Sequence, residues 1–186
     1  MIQNAEVNQE EVMRNLNKLA SSTSETDSLF ETSMNYLTDF YKIDVVMIHL
    51  YDKNTGKAHL VGKKNVPARY VDSSAEIDGS KGKLWDVIAK NISINVKNVQ
   101  DDDSIDYDTK SLNKKGALGI PVSLSYTGEA QGALWIFSDD EYNYDPQIDK
   151  TLLYLVNQIA TSIAWAMKYE EKRANWQQRF KISLNS

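Results

Sequence analysis

An α+β fold built on an antiparallel sheet is the fold class this sequence predicts. Three observations predict it. The run IDVVMIHLYD (43–52) is β-branched and apolar on both faces, and KAHLVGKK (57–64), GALGIPVSLSY (116–126) and ALWIFSDD (133–140) read as further strands. Two pairs of these runs are joined by short turns, KNTG (53–56) and TGEAQG (127–132), and strands joined that tightly pair antiparallel. The long helical periodicities lie at the two ends of the chain. Helices gathered at one face of two such hairpins give an α+β layer.

Taken in order, residues 5–21 carry Val7, Val12, Leu16 and Leu19 at helical spacing, a thin stripe that suits docking on another helix. SSTSETDS (21–28) breaks that helix, and Ser28 with Glu31 forms a capping box for the next. Leu29, Phe30, Met34, Leu37, Phe40 and Tyr41 fall on one face of this second helix. The first hairpin turns at Asn54 and Gly56, both turn formers. Residues 65–80 are polar with Pro67 and Gly79 and are expected to be loop. GKLWDVIAKN (82–91) places Leu84, Trp85, Ile88 and Ala89 at helical spacing, a short amphipathic helix.

ISINVKNV (92–99) alternates with period two and reads as a strand, with Ile92, Ile94 and Val96 on one side. QDDDSIDYD (100–108) is an acidic loop. Pro121 cannot donate to a ladder, so its strand is an edge there or carries a local irregularity. From Asp145, a cap, and Pro146, a helix-start residue, a helix runs to about residue 180, with Ile148, Leu152, Leu155, Val156, Ile159 and Ile163 on its apolar face. Its charged end, MKYEEKRANW, is expected to project from the globule.

Composition bounds the function. The 186 residues are 41% hydrophobic and 25% charged, which suits one packed domain with extra helix. A net charge of −5 with no clustered basic face argues against nucleic acid and against an anionic membrane surface. The chain has no cysteine, which excludes disulfides, thiolate metal sites and thiol nucleophiles. The polar start MIQNAEVNQEEVMRNL has no apolar signal core, and no apolar run is long enough for a membrane span. The expected setting is the cytoplasm. No Ser/His/Asp arrangement, phosphate-binding loop or dinucleotide fingerprint is present, so the expectation is a protein that binds rather than an enzyme.

Few residues could carry chemistry. His49 sits mid-strand among apolar neighbours, on the face of Val45, Met47 and Tyr51. It is either a pocket residue, holding a ligand, haem or proton, or a core histidine satisfied by a nearby carbonyl or tyrosine. His59, on the return strand, is expected to be exposed, and two histidines alone have no metal-site spacing. The run Asp101, Asp102, Asp103, Asp106 and Asp108 lacks the central glycine and closing glutamate of a calcium loop and reads as a solvated acidic segment. Trp85 and Trp135 are core residues or ligand platforms. Ala117, Gly119 and Pro121 leave volume above one strand face, for a pocket floor or for a closely packed helix.

Three ordered pieces carry a resemblance to the GAF family: YKIDVVMIHLYDKNTGKAHLVG, ISINVKNVQDDD, and GALGIPVSLSYTGEAQGALWIFSDDEYNYDPQIDKTLLYLVNQIATSIAWA. The match spans about residues 24–170, leaving 1–23 as a dimer or linker helix and 171–186 as a linker towards an effector. The resemblance implies a five- or six-stranded antiparallel sheet, terminal helices on one face, and a small-ligand pocket on the other beneath the connecting loops. VVMIHLYD is similar to the strand that lines the chromophore cavity in phytochrome-type GAF domains. The implied ligand-binding residues are Met47, His49, Tyr51, Trp85, Tyr107, Gly119 and Pro121, with Tyr107 and Ile105 in a lid. Covalent bilin and the cysteine-dependent methionine-sulfoxide reductase chemistry of the family both lack their cysteines here. The expectation is no cofactor, with haem on His49, or on His59, as the option to check.

The function implied is a sensory module of a signal-transduction protein such as a two-component histidine kinase, a cyclase or a transcriptional regulator. It would bind an unknown small molecule, signal to an effector domain in cis, and form a homodimer through Tyr154, Trp165 and Tyr169 on the last helix. The alternative is a structural dimerisation module whose pocket is filled by its own side chains.

Overall fold

A computed structural model describes residues 43–74, 76–78, 82–123 and 129–141, together with Arg14, Glu31, Met34, Asn35 and Thr38. The described core is a six-stranded sheet, β1 (Val45–Asp52), β2 (Lys57–Lys64), β3 (Glu76–Asp78), β4 (Ile94–Val96), β5 (Gly116–Ser123) and β6 (Ala130–Ser138). The spatial order is β3-β2-β1-β6-β5-β4, and every neighbouring pair is antiparallel. Three helices join the strands: α1 (Ala68–Ser74), α2 (Lys83–Lys90) and α3 (Tyr107–Lys110). The α+β class and the antiparallel sheet stand as expected.

The first hairpin is closed by side chain and backbone together. Asp52 accepts from the Asn54 amide at 2.8 Å and from the Thr55 hydroxyl at 3.2 Å, while its carbonyl accepts from the Gly56 amide at 2.9 Å. The Asn54 amide holds the Asp52 carboxyl below the usual carboxylate range. Gly56 takes a positive φ of 71°, which glycine adopts without strain. Opposite the step from Ile48 to His49, β2 carries one extra residue, since Ile48 faces Gly62 and His49 faces Leu60. This bulge keeps Leu60 and Ala58 paired with His49 and Tyr51.

Two expectations needed correction. The segment 65–80 is not all loop but contains α1 and β3. Pro67 opens α1, its carbonyl receiving the amides of Tyr70 and Val71 at 3.0 and 3.2 Å. A helix of seven residues is too short for apolar residues to recur, so its periodicity is invisible. β3 pairs with β2 from Lys57↔Asp78 to His59↔Glu76 and is held by a 2.7 Å ion pair from Lys57 to Glu76. The second correction is to the strand expected over 92–99. Only Ile94–Val96 is strand, because Asn91 ends α2 in the left-handed region (φ 52°) and the chain joins the sheet only after Ile92, which is 49% exposed, and Ser93.

Pro121 behaves as its chemistry requires. β4 covers β5 only from Ala117 to Gly119, so at Pro121 the outer side of β5 has no partner in the sheet. Alternation then sorts the core. Val45, Met47, Ala117, Ala133, Trp135 and Phe137 are buried on one face with residues of α1, α2 and the loops. Val46, Ile48, Leu118, Ile120, Leu134 and Ile136 point to the other face and are buried as well. Met34, which is helical, is fully buried, and Glu31 reaches Lys64 on β2 at 3.3 Å. Of the terminal helices expected over 5–21 and 145–180, Arg14 is described and is helical; the rest lies outside the described residues, as do Tyr154, Trp165 and Tyr169.

The seam between the hairpins is β1 against β6, running from Val45↔Phe137 to Leu50↔Gly132. A Cβ on Gly132 would lie 2.3 Å from the His49 carbonyl oxygen, a clash with backbone that no rotamer relieves. Gly132→Ala is therefore expected to cost about 2–4 kcal/mol by forcing the seam apart. Gly56→Ala, where nothing lies near the new Cβ, is expected to cost about 1 kcal/mol through its positive φ alone. Urea unfolding of the two variants checks the difference.

Candidate functional site

The site is built on the sheet face that carries α2. Cross-strand register lays its floor in two rows. One row is Leu60, His49, Ala133 and Pro121; the next is Met47, Trp135, Gly119 and Ile94. Residues opposite each other in adjacent strands have side chains in contact range on the same face. Ala133, Pro121 and Gly119 are small, so the floor is low on the β5 side. His49 is 1% exposed, the buried polar residue of this core.

Gly119 has a specific partner. A Cβ there would lie 2.6–2.8 Å from Cζ2, Cε2 and Cη2 of Trp135, so the indole lies directly over the glycine. Trp135 also stacks on Phe137, with ring centroids 6.0 Å apart and planes 27° apart. It is 4% exposed, and its indole nitrogen is buried without a hydrogen-bond partner. Of the two readings for Gly119, close approach of a covering group is the one seen, and the group is a side chain of β6 rather than a helix.

The roof starts with α2, which crosses β5 and β6. Val87 and Ile88 are buried, while Leu84 and Trp85 are half-buried against the same cluster. Trp85 meets Tyr51 of β1 edge to face, with centroids 5.0 Å apart and planes at 78°. The two connecting segments complete the roof and are tied to each other and to α2. The Arg69 guanidinium donates to the Ser111 carbonyl at 2.8 Å, Tyr70 and Thr109 share a 3.2 Å hydroxyl contact, and Lys83 lies 3.4 Å from Asp102.

The aspartate run serves local structure. Asp106 caps α3, accepting from the Thr109 amide at 2.7 Å and its hydroxyl at 2.9 Å. Asp102 accepts from the amide and hydroxyl of Ser104, and the hydroxyl contact above all holds its carboxyl below the usual range. Asp101 receives the Asn98 side-chain amide at 2.9 Å. Gln100 donates to the carbonyls of Lys110 and Lys114, closing the loop on itself. Among the described residues no group of three or more metal-ligating side chains is gathered.

The structure brings together Met47, His49, Tyr51, Trp85, Gly119 and Pro121 on one face. It does not bring Tyr107 to them. Tyr107 opens α3 and is 85% exposed, whereas Ile105, two residues earlier, is buried in the core cluster. The cap at Asp106 turns the chain between them, so the apolar residue goes in and the tyrosine goes out. His59 is half-buried on β2, with Nδ1 3.7 Å from Glu76 and the ring 3.5 Å from the Thr55 hydroxyl, away from the floor. Tyr70 had been expected only as one of several tyrosines suited to a ligand rim or a loop anchor, and Ala133 and the ties from Arg69, Tyr70 and Lys83 were not foreseen. Their signal is tertiary, since each acts across at least 19 residues of chain.

No family model matches the chain, and no curated protein matches its sequence. Solved structures do match its fold. The GAF domain from a phosphoenolpyruvate-protein phosphotransferase of Coxiella burnetii superposes with a TM-score of 0.72 at 16% identity, over 90% of this chain and 99% of that one. The chain has a GAF fold. The GAF domain of A. aeolicus nlh2 in an inactive state gives 0.68 at 13% identity, over 90% of this chain and 99% of that one. The free methionine-R-sulfoxide reductase of Neisseria meningitidis, in complex with its substrate, gives 0.70 at 14% identity, over 93% and 96%. That last likeness corrects an expectation. The expectation was a protein that binds rather than an enzyme, but this GAF fold is shared with enzymes, and a fold does not decide whether chemistry is done on it. Among the described residues no helix is long and apolar enough to cross a membrane.

Tyr70 supplies a test of the roof. Burial pushes its phenol up from 10.0 to about 12, against the opposing Thr109 contact and with Asp106 and Asp108 adding to the rise. Below pH 10 the hydroxyl is neutral in both folded and unfolded chains. Between pH 10 and 12 the unfolded chain ionises and the folded one resists, so stability falls across that window. The expected loss is about 2–3 kcal/mol. Urea unfolding across this window should show the decline, and Tyr70→Phe should flatten it.

Proposed function

We propose that this GAF fold binds a small molecule on the α2 face of its sheet and reports the binding to an effector domain in cis. The observation that carries the reading is the half-buried aromatic pair Tyr51–Trp85, set beside the buried His49 and the small residues Ala133 and Pro121 of the floor. Aromatic bodies around a small-residue floor, with one convergent polar side chain, are what small-molecule sites use. The roof supports the reading too. Its segments are tied by three polar contacts that can be made or broken together, so a ligand beneath α2 would bias the whole roof.

The in-cis effector is supported by fold company, since the Coxiella burnetii GAF domain is part of a phosphotransferase. On this proposal the module works in the cytoplasm, as the cysteine-free composition suits, within a signalling protein of the histidine kinase, cyclase or regulator kind. It pairs as a homodimer through Tyr154, Trp165 and Tyr169 of the last helix. Ligand contact falls to Tyr51, Trp85, His49, Pro121 and the surface over Gly119, with Met47 beneath. Haem on His49 would show as a Soret band in the purified protein.

A second reading has its own observation. The Trp135 indole occupies the space over Gly119, so part of the floor is filled by the protein itself, as a structural dimerisation module would have it. A thermal-shift screen of metabolites separates the two. The sensing reading expects at least one compound class to raise Tm by several degrees in the wild type, and Trp85→Ala or Tyr51→Ala to abolish that rise. A screen in which no metabolite moves Tm supports the self-filled module instead.

A further inference from the structure

We propose that the indole N–H of Trp135 is the hydrogen-bond donor by which this site selects its ligand, and that the ligand presents an uncharged acceptor, such as a ketone or amide carbonyl, on an apolar body. This rests on the small-molecule reading above and goes further by naming the donor and the ligand chemistry. Trp135 is 4% exposed, and its Nε1 is buried with no partner. Leaving a buried donor unmade costs about 1–3 kcal/mol, a cost that phenylalanine, which could also stack on Phe137, would avoid. Nε1 is bonded to Cε2, one of the three ring atoms lying over Gly119, so the N–H belongs to the part of the indole that covers the floor of the site.

The sheet does not supply the missing acceptor. Gly119 lies between Trp135 on β6 and Ile94 on β4, inside the ladder on both sides, so its backbone groups are committed. The side chains of that row and the next are Met47, Ile94, Leu60, Ala133 and Pro121, which carry no acceptor, and His49, whose ring makes no hydrogen bond to the Trp135 N–H. The surroundings also set the ligand's charge. The hydrophobic cluster around Trp135 includes Val45, Met47, Val87, Ile88, Ala133 and Phe137, and the buried polar or charged residue among the described residues is His49, with no buried carboxylate, lysine or arginine. A charged ligand group there would lose its hydration without compensation, whereas a neutral carbonyl needs one donor.

The probe is a matched pair, cyclohexanone and methylenecyclohexane, which share shape but differ in the acceptor oxygen. In wild-type protein carrying 15N-labelled tryptophan, four indole signals are expected, and that of Trp135 is identified by its contacts to Phe137 and by its loss in Trp135→Phe. The expected result is a saturable downfield shift of the Trp135 indole proton with cyclohexanone and none with methylenecyclohexane. A metabolite found by the thermal-shift screen should bind Trp135→Phe at least about tenfold more weakly than wild type. If cyclohexanone leaves the Trp135 signal in place, or both probes move it alike, the proposal is overturned. A metabolite that stabilises wild type and Trp135→Phe equally also overturns it, while leaving the small-molecule reading intact. The wild-type spectra decide the matter even if Trp135→Phe does not fold.

Discussion

The pairing of β1 with β6 is the constraint on which the rest of the structure depends. Each hairpin is local, closed by its own turn, and a two-stranded hairpin alone is marginal in water. Joining β1 to β6 brings together residues about 90 positions apart in the chain and makes one six-stranded sheet. It also sets the floor of the site, because the register from Val45↔Phe137 to Leu50↔Gly132 is what puts His49 beside Ala133 and Met47 beside Trp135. A slip of one residue would turn the two residues of the slipped strand to the opposite face, parting His49 from Ala133 and Met47 from Trp135. Gly132, with no Cβ to strike the His49 carbonyl, is what permits the close approach.

The site face follows from that seam in a chain of causes. Small residues on β5 and β6 leave room above the sheet, and Trp135 takes part of it by lying over Gly119. The amphipathic α2 takes the next layer, with its aromatic residue turned to Tyr51 at the rim. The outer layer is polar and held by single contacts, Lys83 to Asp102, Arg69 to Ser111 and Tyr70 to Thr109. Such contacts are individually modest, so the outer layer is the part of the structure that a ligand beneath it could rearrange at small cost.

Much of this was legible in the chain. The hairpins announced themselves through β-branched runs and the KNTG turn, α2 through the spacing of Leu84, Trp85 and Ile88, and the edge position of Pro121 through its missing N–H. His49 stood out as a histidine in an apolar strand. The misses have physical reasons. α1 is too short to display a period, and β3 is a three-residue strand made by pairing and one ion pair rather than by propensity. Ile92 looked like a strand residue because alternation does not reveal that Asn91 ends a helix in a left-handed turn just before it. Tyr107 was read as a lid residue, yet the cap at Asp106 directs it outward while Ile105 goes in.

By itself the sequence determined what is local: strand and helix periods, turn chemistry, the absence of cysteine, and which face of each strand is apolar. These follow from side-chain type and spacing along a few residues. Only the tertiary structure decided which strands are neighbours, that Trp135 covers Gly119, that its N–H is buried without a partner, and that two distant loops form one tied roof. Those facts depend on contacts between residues far apart in the chain, set by packing and register, and no local pattern encodes them.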